Sequence, residues 1–190
     1  MTVVVLALMM MACSATSQRR EKLFNVDSLM DHQIDALIRH NANITKRALL
    51  NGVNEVTTLS PGDSVAWNDE LAIFLELDVV NKPIYKDSYK VESYADTKSN
   101  LTIKAFTTTD ELPVSSLKLY YHNTLPQLRR LEAYYHDANS LYKSTRYLTM
   151  EFENIYGETL LTSYSIAGGQ HMFLDDSVQY MINAKIDLKN

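Results

Sequence analysis

This chain reads as an α+β domain in which an N-terminal helical hairpin packs on a C-terminal antiparallel meander sheet of about seven strands. Apolar residues recur at helical spacing over residues 27–82, and the period falls to two from Tyr85 onward. All twelve tyrosines lie beyond that switch. Recurrence every three or four residues buries one stripe of a helix, whereas alternation buries one face of a strand. Aromatic rings favour the pleated surface, so their distribution agrees with the period.

The helical half starts at Asp27 and Ser28, two N-cap residue types. Met30, Ile34, Leu37, Ile38, Ile44, Ala48 and Leu49 then form a stripe that Asn51-Gly52 ends or breaks. Ser60-Pro61-Gly62-Asp63 is a connection. A second helix takes Asn68 as its cap, with Leu71, Phe74, Leu75 and Val79 on one side, and Asn81-Lys82-Pro83 stops it.

Strands are expected near 85–96, 101–109, 115–122, 128–136, 141–153, 159–167 and 177–188. Leu101, Ile103 and Ala105 alternate with Thr102 and Lys104, and Leu117, Leu119 and Tyr121 with Ser116 and Lys118. Leu148, Met150 and Phe152 repeat the pattern, as do Tyr180, Ile182, Ala184 and Ile186. Pro113, Pro126, Gly157, Gly168 and Gly169 fall between these runs. Short connections make consecutive strands neighbours, which defines a meander.

Composition narrows the function. The chain has 190 residues, enough for one domain with a sizeable core, and a formal charge of -5 without any basic stripe. Phosphate neutralisation supplies most nucleic-acid affinity, so a nucleic-acid partner is set aside.

Residues 1–12, MTVVVLALMMMA, carry no charge and are too short to span a bilayer as a helix. They have the length of a secretory-signal core and end at Cys13, the only cysteine, after which Ser14-Ala15-Thr16-Ser17-Gln18 is polar. The Ala12-Cys13 junction resembles the lipobox of bacterial lipoproteins, in which a small residue precedes the cysteine that is acylated. Met10 stands where Leu is usual in that pattern, and no Lys or Arg precedes the apolar run. The resemblance implies a signal peptide over 1–12, a lipid-attached tether over 13–26 and one domain over 27–190. It further implies a cell-envelope location, anchored through lipid on Cys13 to the outer membrane and facing the periplasm. Such a domain holds no disulfide.

Catalytic signatures are missing: no G-x-S-x-G, H-E-x-x-H, P-loop or G-x-G-x-x-G follows the required element. His122 and His136 close two similar runs, LKLYYHN and LEAYYHD, but a hairpin places them at opposite ends, beyond the reach of one ion. No metal, cofactor or catalytic residue is assigned. Tyr94, Phe106, Tyr120, Tyr134 and Tyr147 are expected to point away from the helices and form a contact surface. The leading expectation is a lipid-anchored, non-catalytic envelope protein that binds an apolar ligand or protein partner through its sheet. Architecturally, such a sheet with helices and an anchor resembles periplasmic lipoprotein carriers and receptors. A structural subunit of an envelope assembly is the second reading, and a hydrolase without a recognisable motif the third.

Overall fold

A computed structural model describes residues 22–172 and 177–189. The expectations for residues 1–12 and for Cys13 lie outside the described residues. Among the described residues the fold is α+β, with two α-helices and a nine-stranded antiparallel sheet.

Helix α1 (Val26–Arg39) is capped by Asn25, whose side chain accepts from the Ser28 amide at 3.2 Å. It buries Val26, Met30, Gln33, Ile34, Ala36 and Leu37. Its end is sharp. Asn41 takes a φ of 44°, the Ala42 amide reaches back to the Leu37 carbonyl and the Asn41 amide to Ile38. That pair of bonds satisfies the orphan carbonyls of the last turn and turns the chain out of the helix.

The chain then enters a β-hairpin. Strands β1 (Asn43–Leu50) and β2 (Val53–Leu59) pair from Ile44↔Leu59 to Leu50↔Val53. Asn51 and Gly52 both have positive φ, 47° and 88°, as the tightest two-residue hairpin loops require. The stretch 27–82 is therefore not helical throughout, and the strand count is nine instead of about seven. Ile44 and Ala48 misled because a spacing of four satisfies both the helical period and the strand period of two. Helix α2 (Ser64–Leu75) comes next, capped by Asp63 and not by Asn68; the Asp63 carboxylate accepts from the Ala66 amide at 2.9 Å. The two helices touch, but a strand hairpin separates them in the chain.

The seven expected strands are present as β3 (Lys90–Ala95), β4 (Thr102–Thr107), β5 (Val114–Tyr121), β6 (Leu128–Ala138), β7 (Tyr142–Ile155), β8 (Glu158–Met172) and β9 (Val178–Asp187). Residues 86–88 form a short 3-10 turn, so the first of these strands starts later than its tyrosine. The order is β2-β1-β9-β8-β7-β6-β5-β4-β3, a seven-strand meander with the N-terminal hairpin added beside β9. Gly168 and Gly169 lie inside β8, not in a connection. A Cβ on Gly168 would stand 2.6 Å from the Thr145 carbonyl oxygen and 2.8 Å from the Tyr180 hydroxyl, so glycine is needed there for close approach.

Both helices cover the same face. Trp67, Leu71 and Phe74 of α2 meet Leu117, Leu119, Leu131, Leu148 and Met150 in one continuous buried cluster. Phe74 stands edge-on to Tyr164, with ring centroids 5.4 Å apart. Among the described residues no helix is long and apolar enough to cross a membrane.

Candidate functional site

Directly opposed residues of antiparallel strands point to one face, so the pairing register assigns every side chain to the helix-covered or the open side. One open row runs Tyr134↔Tyr147↔Ala167↔Met181↔Leu49 across β6, β7, β8, β9 and β1. All but Ala167 are large, and all four large members are exposed, Met181 by 44% and Tyr147 by 42%. Ala167 and Gly169 on β8 leave the middle low. The result is a trough of about 420 Å³ between Tyr134 and Tyr147 on one side and Met181 and Leu49 on the other.

A second open row lies toward the β3 edge: Tyr94↔Ile103↔Tyr120↔Arg130↔Glu151. Here the aromatic rings sit among charges. The Tyr120 hydroxyl donates to Glu132 Oε2 at 2.7 Å, and the Arg130 guanidinium lies 5.7 Å from the Tyr120 ring centre. Arg130 also bridges the two carboxylates, to Glu132 Oε1 at 3.4 Å and to Glu151 Oε1 at 2.6 Å. Burial, and after it the Glu132 bond, hold the Tyr120 hydroxyl above its ordinary proton affinity. Burial and then the Glu132 charge do the same for Tyr147. Burial also raises Glu151, against the pull of Arg130. With the 96–101 turn these groups line a cleft of about 590 Å³. Chemically, the network holds Tyr120 beside charged partners and makes this surface amphipathic.

Four of the five expected contact residues are thus together on the open face: Tyr94, Tyr120, Tyr134 and Tyr147. Phe106 is not. It is fully buried on the helix side, paired with Leu117. Strand β4 runs in the opposite phase to the expected one: Ile103 and Ala105 face the open side, and Lys104 and Phe106 the helices. The alternation hid this because Ile103, Ala105 and Phe106 are all buried, from both sides of the strand.

Sequence reasoning missed a second feature, on the helix side. Between α2 and the β1–β2 hairpin lies a groove of about 520 Å³ with Ala48, Leu59, Ala72, Ile73, Ile166 and Ile182 among its walls. At its floor Glu70 accepts from the Tyr164 hydroxyl and from Lys46 Nζ, the latter at 2.7 Å. Burial, then the Glu70 bond, push the Tyr164 hydroxyl far up. Reading 43–50 as a strand would have placed Lys46 two residues from Ile44 and Ala48, on the core-facing side.

No protein family, no curated protein and no solved structure matches this chain. Among the described residues no three metal-binding side chains come together. His122 and His136 lie at opposite ends of the β5–β6 hairpin, whose register runs from Tyr121↔Leu128 to Val114↔Tyr135.

Proposed function

We propose that this chain is a non-catalytic binding protein of the bacterial envelope, held to a membrane by lipid on Cys13, that docks a partner protein on the open face of its sheet. The observation that carries this reading is the row Leu49, Met181, Ala167, Tyr147 and Tyr134. Scattered exposed apolar residues are ordinary, whereas a contiguous run of them across five strands marks a contact surface. Tyrosine and methionine at such a surface provide large contact area, and the trough over Ala167 and Gly169 gives a partner side chain somewhere to seat.

The experiment is site-specific photo-crosslinking in cells, with a photoreactive phenylalanine at Tyr147 or Met181 and a control at Val65, exposed by 67% on α2. The reading expects a discrete adduct from the sheet positions that Ala167→Arg abolishes, and none from Val65. No adduct, or equal adducts from all three positions, overturns it. Anchoring is tested separately: Cys13→Ala should abolish fatty-acid labelling and release the protein from the membrane fraction.

The groove beside α2 supports a second reading, binding of an apolar small molecule. Its aliphatic walls offer little except contact area, and Glu70, Lys46 and Tyr164 already satisfy one another. Mass spectrometry of organic extracts from the gently purified protein would show a stoichiometric apolar compound if the groove is its site, and none if it is not.

A further inference from the structure

The two edges of the sheet differ. An edge strand presents unpaired backbone groups to solvent, and folded proteins guard such edges with charges, prolines, bulges or covering segments. Strand β3 is guarded: Lys90 and Glu92 stand on it and pair with each other at 2.9 Å. Strand β2 is not. Its sequence, VNEVTTL, holds one charge, no proline and no bulge against β1. Six of its seven residues are exposed, and only Leu59, in the groove beside α2, is partly buried. Val53 is 72% and Val56 62% exposed.

We propose that β2 is a self-pairing edge, at which two copies of this chain join antiparallel about a two-fold axis through Val56. Only one antiparallel register of the seven-residue strand with itself overlaps the whole strand. It sets Val56 opposite Val56, Glu55 opposite Thr57, Asn54 opposite Thr58 and Val53 opposite Leu59. No like charges stand directly opposite each other, where they would oppose pairing; the two copies of Glu55 are diagonal neighbours. The apolar residues meet one another on both faces: Val56 with its copy on the open side, and Val53 with Leu59 on the helix side. About six backbone hydrogen bonds form along the new ladder, from the outward-facing residues 54, 56 and 58 of each copy. A two-fold contact of this kind closes on itself, so assembly stops at two. The joined sheet is twice the width of the nine-stranded one and lays the two open faces side by side. This pairing depends on the edge strand alone and stands whether or not the open face docks a partner.

The test uses the charge at the axis. Val56→Lys and Val56→Glu each put like charges opposite each other and should weaken self-association at least about tenfold, or 1.4 kcal/mol. Mixing the two variants makes the meeting pair opposite in charge and should restore association to wild-type level. Sedimentation velocity over a concentration series reads the result. Hydrogen exchange supplies a readout without substitution: amides 53–59 should become protected as concentration rises, while those of 90–95 should not change. A wild-type chain that stays monomeric throughout overturns the proposal. So does growth into open-ended polymers, or a mixture of the two variants that fails to associate.

Discussion

Gln33 and Leu161 are joined by a bond that substitutes for a missing strand. The Leu161 amide donates to Gln33 Oε1 at 2.7 Å, while Gln33 Nε2 donates to the Thr159 carbonyl at 3.0 Å. Pairing between β8 and β9 begins only at Ser163↔Lys185, so the first turn-side residues of β8 have no strand on that flank. A buried backbone group without a partner is costly, and helix α1 supplies one through a side chain. This explains why a glutamine is 5% exposed in an otherwise apolar helix face.

Replacing Gln33 with Leu should therefore destabilise the fold even though it adds apolar volume. Two backbone groups lose their partners, for a cost of about 2–4 kcal/mol and a fall in Tm of roughly 5–12 °C. Gln33→Glu keeps the acceptor for Leu161 but loses the donor to Thr159 and buries a carboxylate against that carbonyl, so at neutral pH it should cost at least as much as the Leu variant. Thermal melts by circular dichroism decide the order; a Leu variant as stable as wild type would show that these bonds contribute nothing.

Gly168 and Gly169 are adjacent yet should respond unequally to alanine. A Cβ at Gly168 meets the Thr145 backbone oxygen at 2.6 Å and the Tyr180 ring, neither of which yields cheaply. At Gly169 the obstacle is the Gln179 side chain, which is flexible and can swing aside. Gly168→Ala should cost about 1–3 kcal/mol, the range for forced overpacking, and Gly169→Ala well under about 1 kcal/mol. Urea unfolding of both variants measures the difference.

Much of the sheet was legible because burial on one face leaves a period of two in the residues. Leu148, Met150, Phe152 and the alternating Tyr180, Ile182, Ala184 and Ile186 could be assigned to the helix-covered face on that ground, as could four tyrosines to the other side. Phe106 could not, because its strand is buried on both faces and alternation then carries no phase. The N-terminal hairpin was hidden by the four-residue spacing of Ile44 and Ala48, although Asn51-Gly52 is a strong two-residue hairpin signal. Leu49 was missed with it, since a residue read on a helix cannot be placed in a row across strands, and Met181, although on an expected strand, was left without that neighbour. The Lys46–Glu70–Tyr164 cluster joins β1, α2 and β8, which lie far apart in the chain, and no local pattern announces such a meeting.

That cluster sets up a coupling experiment. The Glu70 side chain is only 10% exposed and Lys46 is its cation. Removing one partner of a poorly solvated pair leaves the other uncompensated, which costs more than the pair contributes. Lys46→Met alone should destabilise by about 1–3 kcal/mol. Lys46→Met with Glu70→Leu should recover part of that loss, giving a non-additive cycle. Chemical denaturation of the four species measures it, and strict additivity would mean that the two side chains do not sense each other.

Glu151 and Glu158 should give stability profiles of opposite slope with pH. Burial raises Glu151 above the ordinary value of 4.5, and Arg130 only partly offsets it. Its folded value lies above its unfolded one, so the folded state holds the proton more tightly. The stability it contributes is present below about pH 4.5 and is lost as pH rises through the folded value. Glu158 is the reverse: the Arg39 bond lowers it, so its contribution is present above about pH 4.5 and lost as pH falls. Glutamine is neutral at every pH. Between about pH 4 and pH 7, the Tm of Glu151→Gln relative to wild type should therefore rise, and that of Glu158→Gln should fall. Both side chains are more than one-third exposed, and solvent screening limits each change to about a degree or two. Melts of the three proteins across that range provide the comparison, and parallel slopes for the two variants would contradict the assignment of burial as dominant at Glu151 and pairing at Glu158.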